Sequence, residues 1–406
     1  MIYLLIIIIL SILVYCYDYS GKIKNKTFWF ILCLVIFVSV TGFRYRLGVD
    51  SIRYESAYSF FPKINELFSY DYSTSRYGIG YIIFASIPRT ISDDFVSLQL
   101  LQSLFVNCSV FFFFRKYCSH PFSCILIYFL VLYFNFNCEV MREACAVSIL
   151  LLAWPYFIKK NWIKYYILAI FSCFFHISGC ITLLLPILYL PGISSIFIVK
   201  VKLVITLIVI YIIGTIVSVK FFNYIQAIAI FDSIQAGVDM YSNSELGGNI
   251  LNIGGIISTI IKYILYPFIG IIILKNYFPT KSPLSLNKNA FQSFEFMTVL
   301  CFVFAILSIP IAILYRYTNY FFPFAIVMMC EWLFRHLRMN NRVLRMSFGI
   351  YLLILIPYFI WQMYALTKIN PENNLREIYR YYPYSSIIDQ SISKDRERLY
   401  NFYGAE

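Results

Sequence analysis

The run TFWFILCLVIFVSVTGF, residues 27–43, is followed at once by RYRLGVDSIRYESAY, residues 44–58. The first run is unbroken and apolar, and a helix that crosses a bilayer takes about 20 such residues. The second run carries three arginines, an aspartate and a glutamate among its tyrosines. A membrane helix that opens into so charged a segment predicts a membrane protein with a polar insert on one side of the bilayer.

Composition extends this interpretation to the whole chain. Of its 406 residues, 61% are hydrophobic and only 13% are charged, whereas soluble domains carry about 25% charged residues. The apolar runs are continuous and do not alternate, which is the pattern of helices and not of a transmembrane β-barrel. The sequence therefore predicts an all-α, polytopic transmembrane protein with about 10–13 membrane helices and an extracytoplasmic insert after the second helix.

Apolar runs place candidate membrane helices along most of the chain. They cover 1–17, 27–43, 95–115, 121–137, 140–158, 163–190, 196–219, 250–274, 291–314, 317–334 and 344–366. A shorter apolar stretch, 79–91, is interpreted as re-entrant or interfacial. We predict a single integral membrane domain, residues 1–406, with the insert at 44–78, a central loop at 220–249 and a C-terminal tail at 367–406.

Lysine and arginine in short loops predict the orientation, because cytoplasmic loops are enriched in them. The net charge of +13 is interpreted in this way and not as a sign of nucleic-acid binding. Basic clusters lie at 21–26, 115–116, 159–164, 275–288 and 335–345. With these in the cytoplasm, the insert and the tail lie outside. A single crossing at 163–190 gives the later loops the wrong parity, and HISG at 176–179 is a candidate break in that helix.

The sequence contains eleven cysteines and three histidines. No cysteines form a C-x-x-C pair, and those in apolar runs are interpreted as small packing residues. His120 and His336 fall in the cytoplasmic class, which leaves no set of histidines for a metal. No P-loop and no glycine-rich turn between a strand and a helix is present. We therefore predict no cofactor and no nucleotide site. The carboxylates of Asp50, Glu55, Glu66 and Asp71 are an open alternative for a divalent ion, but no ligand spacing requires one, and we predict no metal.

The insert offers a first candidate site. Arg44, Arg46 and Arg53 run against the usual bias of outer loops, and guanidinium groups bind phosphate in a bidentate manner. A helix is predicted after LGVD with Asp50 or Ser51 as its N-cap, and a helix N-terminus also favours anions. The segment is therefore either an anion site or a set of arginines among lipid headgroups.

Three further residues stand out in apolar surroundings. Arg142 opens a membrane helix, and it either faces a cavity or forms a local ion pair with Glu139 three residues earlier. His176 lies in the outer half of the membrane and is either a functional group or a hydrogen-bonded core residue. Arg316 lies at an outer helix junction, either as a phosphate ligand or as an interfacial anchor. The topology places all of them, with the insert, on one leaflet.

The same places match the ordered motifs of a known family. The chain resembles the EpsG family, membrane proteins of bacterial exopolysaccharide synthesis that are grouped with the Wzy-type O-antigen and capsular polysaccharide polymerases. The matching motifs are Arg44 or Arg46 with Gly48, Val49, Asp50 and Tyr54; Gly80-Tyr81; Arg142 to Ala146; Phe175 to Ser178; Arg316 to Phe321; and Pro383-Tyr384. Their order and rough spacing agree over nearly the whole chain.

The sequence departs from the family pattern at three positions. Val49 stands where the family usually has threonine, and Glu143 replaces a glutamine. Gly78 stands where the family often has a glutamate, so the role of that carboxylate is absent or falls to Glu55 or Glu66.

The resemblance implies a glycosyltransferase of the bacterial cytoplasmic membrane with its active site on the periplasmic or exterior side. It would join undecaprenyl-diphosphate-linked oligosaccharide repeat units, donor to acceptor, into O-antigen, capsular or exopolysaccharide. Its partners would be these lipid-linked substrates, the bilayer and a separate chain-length regulator, with no nucleic acid. The open alternatives are a flippase of the same lipid-linked sugars, a glycan ligase and an acyltransferase.

Carried onto this sequence, the resemblance gives the charged residues roles. Arg142 and Arg316 would stabilise the departing diphosphate, and Asp50 or His176 would act as the base. Arg44, Arg46, Arg53, Tyr54 and Tyr81 complete the candidate set as substrate-binding residues.

Overall fold

The computed structural model describes residues 2–190, 201–228, 288–338, 367, 369 and 374–402. These ranges contain helices and turns and no strand, which confirms the polytopic all-α class. The predicted helices at 250–274 and 344–366 lie outside the described residues, as do positions 229–249 of the predicted central loop. The described start of that loop, 220–228, is helical.

Thirteen α-helices occupy the described ranges. They are α1 Ile2–Leu13, α2 Lys26–Gly42, α3 Val49–Tyr58, α4 Ile79–Ile91, α5 Phe95–Tyr117, α6 Pro121–Val131, α7 Met141–Ile158, α8 Trp162–Phe175, α9 Ile181–Leu188, α10 Val201–Ile228, α11 Lys288–Leu307, α12 Tyr315–Arg338 and α13 Lys394–Phe402. Within these ranges, four helical segments are long and apolar enough to cross a membrane: Ile2–Tyr19, Phe95–Tyr117, Met141–Ile158 and Ala290–Leu307. The chain is thus a multi-pass membrane protein.

The chain divides into two compact units. The first comprises Met1–Thr182 and His336–Glu406, and the second comprises Leu183–Arg335. In the first unit α7 packs against both α5 and α8, and α2 lies along α5. In the second unit α10 packs against α11, and Phe304 of α11 stacks on Phe321 of α12.

A buried polar network crosses the core of the first unit. Thr41 and Ser103 hydroxyls lie 2.6 Å apart, and Asn107 donates a hydrogen bond of 3.1 Å to the Asn137 side chain. Asn137 in turn donates to the Tyr133 carbonyl oxygen at 2.8 Å. A bilayer offers no water to satisfy such groups, so they must pair with one another. The network fixes the π-helical turn Asn135–Glu139, which presents Glu139 to the insert.

The predicted break at 176–179 is confirmed. Helix α8 ends at Phe175, and His176 takes an extended conformation with φ −154° and ψ 138°. A 3₁₀ turn, Ile177–Cys180, follows before α9 begins. The His176 Nδ1 accepts a hydrogen bond from the Ser178 amide at 3.2 Å, so the side chain caps the turn that its own backbone starts.

Helix α4 is too short to cross a bilayer, since its 13 residues span about 20 Å. Ile79, Ile83, Ile87 and Ile91 form an exposed ridge along it. Tyr81 on the opposite side is fully buried. This one-sided pattern is typical of a helix at a membrane interface.

Candidate functional site

The N-terminus of α3 is hydrogen-bonded to the carboxylate of Glu139, a residue that is distant in the sequence. The Glu139 side chain accepts hydrogen bonds from the amides of Val49, at 3.3 Å, and Asp50, at 3.1 Å. The residue before the helix is Gly48, with φ +88°, and an added Cβ would lie 2.8 Å from Cys138. Glycine alone tolerates both the backbone conformation and the close approach.

The predicted cap at Asp50 or Ser51 is therefore wrong. The helix starts at Val49, its N-cap is Gly48, and no side chain of the cap residue bonds it. Asp50 instead accepts a hydrogen bond of 3.3 Å from Arg53 one turn later. The anion that the helix N-terminus favours is supplied by the protein itself, as Glu139.

Glu139 has further partners in the C-terminal segment, residues 374–402. The Tyr381 hydroxyl donates to its Oε1 at 3.0 Å, and a guanidinium nitrogen of Arg380 lies 3.9 Å from the same oxygen. Burial raises the pKa of Glu139, and the charge of Arg380 acts in the opposite direction. The side chain forms no ion pair with Arg142, so the local pair is excluded.

The C-terminal segment, predicted only as a tail, is a folded wall over the start of the insert. The Tyr45 amide donates to the Ser385 carbonyl oxygen at 2.9 Å, and the Gly48 amide donates to that of Arg380 at 3.0 Å. Leu399 and Tyr400 of α13 pack with Val49 and Ile52 of α3 in one buried cluster, together with Leu375.

Arg396 holds this segment together from within. Its guanidinium is buried and donates to the Tyr379 carbonyl oxygen at 2.8 Å, to the Ser385 hydroxyl at 2.9 Å and to the Pro383 carbonyl oxygen. Desolvation lowers the pKa of Arg396. A charged group that satisfies three acceptors of one loop fixes the shape of that loop.

Arg44, a predicted substrate ligand, is fully buried. It donates to the Thr41 carbonyl oxygen and to the Met141 sulfur at 3.5 Å, and its backbone bridges to Ser386. It thus ties the end of α2 to α7 and to the C-terminal segment, and it presents no surface to a ligand.

Arg46 and Arg53 are only partly buried, and each has an acidic partner. Arg46 Nε lies 3.0 Å from Glu55 Oε2, and Arg53 lies 3.3 Å from Asp50 Oδ1. Exposed pairs of this kind contribute little stability. They leave these arginines on the surface of the insert, with their charge largely balanced.

Arg142 is the exception. Its Nε donates to the Tyr54 hydroxyl at 3.2 Å, and its Nη1 donates to the Arg76 carbonyl oxygen at 3.0 Å. Its guanidinium carbon lies 4.8 Å from the centroid of the Tyr77 ring. Among the described residues, no carboxylate lies within ion-pair distance of it. The guanidinium is half-buried in a tyrosine cage, with its charge unbalanced.

The floor of this cage is Tyr81, whose ring centroid lies 5.7 Å from that of Tyr54. Its hydroxyl is buried without a hydrogen-bond partner in the described part of the chain. A Cβ at Gly78 would overlap the Phe174 carbonyl oxygen. This close approach seats the start of α4 on the end of α8, directly before His176.

His176 is half-buried, and its Nδ1 lies 2.6 Å from the Ser178 hydroxyl. It follows the part of α8 on which the α4 start rests. Arg316 is the second residue of α12 and belongs to the second unit, and its convergence with the other residues stays a prediction.

Several residues of the cage and its support were missed from sequence: Arg76, Tyr77, Glu139, Arg380, Tyr381 and Arg396. Glu139 drew notice only as an ion-pair partner of Arg142. A weak signal existed for Arg76, because it directly precedes the Tyr-Gly-Ile-Gly-Tyr run that matches the family motif.

The fold and this site describe a multi-pass helical membrane protein in which Arg142, at the start of α7, is hydrogen-bonded to the polar insert. The sequence model of the EpsG family matches residues 26–386. Because the match covers most of the chain, the protein belongs to the EpsG family, a Wzy-like polymerase family. No curated protein and no solved structure matches it.

Proposed function

We propose that the protein polymerises undecaprenyl-diphosphate-linked oligosaccharide repeat units by glycosyl transfer at the outer face of the bacterial cytoplasmic membrane. Family membership supports a polysaccharide polymerase in general. The observation that carries the finer assignment is Arg142, a half-buried guanidinium held by Tyr54 and the Arg76 carbonyl oxygen, with no acidic partner among the residues that the structure describes. Such a group is prepared for an anionic ligand.

The reaction is a displacement at the anomeric carbon of the donor chain. A hydroxyl oxygen of the acceptor sugar forms the new bond, the bond to the lipid diphosphate breaks, and the hydroxyl proton passes to a base. The leaving diphosphate gains negative charge in the transition state. A guanidinium already fixed in a poorly hydrated site stabilises that charge without reorganisation.

Asp50 and His176 remain the candidates for the base. Asp50 lies at the first turn of α3 and accepts a hydrogen bond from Arg53. His176 has its Nδ1 engaged by Ser178, so a proton transfer would use its Nε2. A base needs hydrogen-bond reach to the acceptor hydroxyl, and the pose of that sugar decides between the two.

Other predicted residues take supporting roles in this proposal. Arg46 and Arg53 stay substrate-binding candidates at the surface of the insert, and Arg316 stays a candidate ligand of the diphosphate. Tyr54 orients Arg142, and Tyr81 supports Tyr54 from below. Arg44 acts through the position of α2 and the C-terminal segment, because it is fully buried. A separate chain-length regulator is the protein partner expected of such a polymerase.

Deletion and complementation test this function. We expect the deletion strain to lose the polysaccharide ladder while single repeat units still reach the cell surface, and the wild-type gene to restore the ladder. Arg142→Ala should not restore it. Arg398→Ala, which changes an exposed arginine of α13, is the matched control and should restore it fully.

Two outcomes would overturn the proposal. Repeat units trapped inside the deletion strain would indicate a flippase. A full-length ladder from Arg142→Ala would remove the assigned site.

A further inference from the structure

A second guanidinium group, that of Arg76, lies close to the Tyr77 ring that Arg142 also contacts. The Arg76 guanidinium carbon lies 5.2 Å from the Tyr77 ring centroid, and that of Arg142 lies 4.8 Å from the same centroid. Tyr77 is buried and Arg76 is exposed. The Tyr77 ring therefore contacts two guanidinium groups. That of Arg142 is half-buried, and that of Arg76 is exposed and accessible to a ligand.

The loop that carries Arg76 is fixed from several directions. Arg142 donates to its carbonyl oxygen at 3.0 Å, and the Tyr77 hydroxyl donates to the Arg53 carbonyl oxygen at 3.4 Å. The following residue, Gly78, rests on the end of α8. The backbone is therefore prepared before any ligand arrives, and one hydrogen bond of 3.1 Å to the Tyr77 hydroxyl holds the Arg76 side chain.

In the part of the chain that the structure describes, no carboxylate balances the charges of Arg76 and Arg142. Three other arginines of the insert and α4 have acidic partners: Arg46 with Glu55, Arg53 with Asp50 and Arg89 with Asp93. Arg76 and Arg142 have none among the described residues, and Glu139 is held by α3 and the C-terminal segment instead. Two like charges near one ring repel each other, and an anion between them removes that repulsion.

We infer that Arg76 and Arg142 form a two-arginine clamp for a diphosphate, with Tyr77 as the spacer between them. This rests on the proposed function, because the diphosphate is that of the lipid-linked donor. Each guanidinium can give two parallel hydrogen bonds to one phosphoryl group. A diphosphate supplies two such groups in tandem, whereas a monophosphate supplies one.

Binding to the purified full-length protein tests the clamp directly. Inorganic pyrophosphate, farnesyl diphosphate and farnesyl monophosphate are titrated into detergent-solubilised protein by calorimetry. We expect both diphosphates to bind and the monophosphate to bind more weakly. If only farnesyl diphosphate binds, the site requires the lipid. If pyrophosphate binds equally well, the clamp recognises the diphosphate alone.

Variants of Arg76 assign its contribution. Arg76→Ala should weaken diphosphate binding about tenfold, because it removes hydrogen bonds between charged groups. Arg76→Lys should recover part of the loss, since it keeps the charge without the fork. Arg398→Ala should bind as the wild type does. Thermal unfolding shows whether each variant is folded. If Arg76→Ala is not folded, Arg76→Gln is measured in its place.

Two results would overturn the clamp: no diphosphate binding by the wild type, or unchanged binding by a folded Arg76→Ala. The proposed function fails separately. Weaker binding by Arg76→Ala together with trapped repeat units in the deletion strain would keep the clamp and remove the polymerase. A ladder that depends on Arg142 and not on Arg76, with unchanged binding, would keep the polymerase and remove the clamp.

Discussion

Glu139 and Arg142 are three residues apart, yet the regions around them are built in opposite ways. Glu139 is enclosed by two amides of α3, by Tyr381 and by Arg380. Arg142 is bounded by two tyrosines and a carbonyl group. Groups of the protein itself satisfy the Glu139 carboxylate. The Arg142 guanidinium has no carboxylate partner among the described residues and can bind an anionic ligand.

Glu139 is therefore suited to a structural role and Arg142 to ligand binding, although the two residues are only three positions apart. A buried charge with a complete set of partners fixes neighbouring segments. A charge held in place by neutral groups keeps its full attraction for a ligand. The same contrast distinguishes Arg396, enclosed by three acceptors, from Arg76 at the surface.

The largest expected effect comes from removing the C-terminal segment by truncation after residue 373. Burial of Leu375, Leu399 and Tyr400 would be lost, together with the partners of Glu139. We expect a loss of at least about 5 kcal/mol in unfolding free energy and no ladder. Thermal unfolding in detergent and gel analysis of polysaccharide measure the two effects.

Truncation after residue 402 is the control for that experiment and should leave both properties unchanged. A stable, active protein that lacks residues 374–406 would show that the Glu139 region does not support the site.

Glu139→Ala breaks the same region at one point. Two amides of α3 and the Tyr381 hydroxyl would lose their acceptor, which we expect to cost about 2–4 kcal/mol in unfolding free energy. Glu139→Gln should recover part of this loss, because an amide oxygen still accepts. Glu55→Gln, at an exposed pair, should change stability by less than about 1 kcal/mol. Equal losses at Glu55 and Glu139 would contradict this ranking.

Gly78→Ala disturbs the support of the Arg142 region and leaves the Glu139 region intact. The new Cβ would overlap the Phe174 carbonyl oxygen, so α4 must shift, at an expected cost of about 1–3 kcal/mol. Diphosphate binding should weaken with it. Ile83→Ala, on the exposed ridge of α4, is the matched control, and an identical effect from both would argue against the close approach.

Arg142→Ala should have the smallest effect on stability. Its hydrogen bonds and its contact with Tyr77 are expected to contribute about 1 kcal/mol or less, although the ladder is lost. Arg142→Ala and Glu139→Ala test the comparison together. We expect Glu139→Ala to lose function with its stability and Arg142→Ala to lose function alone. A drop in stability as large as that of Glu139→Ala would give both residues a structural role.

The local features of the molecule could be predicted from sequence. Continuous apolar runs gave the helical membrane class, and the extended break at His176 follows from a His-x-Ser-Gly turn whose capping bonds are local. Arg142 was predicted as a site residue because a charge at the start of an apolar helix is conspicuous, and that role stays a prediction.

The remaining features depend on contacts between distant segments. The N-cap at Asp50 or Ser51 was predicted from the nearest polar residues, but the acceptor is Glu139, which lies 90 residues after Val49 and 89 after Asp50. Tyr381 is a further 242 residues beyond Glu139, and no periodicity links the two. Arg76 lies in a short loop, where an arginine usually means only an exposed surface.

The hydroxyl of Tyr400 donates a hydrogen bond to the carbonyl oxygen of Arg46, 354 residues earlier. On the ribosome, the early half of this contact is synthesised long before its partner exists. The nascent insert therefore waits, incompletely packed, until the last helices have left the translocon and α13 arrives. Maturation of the protein should lag behind its membrane insertion, and a premature stop before α13 would yield an inserted but immature protein.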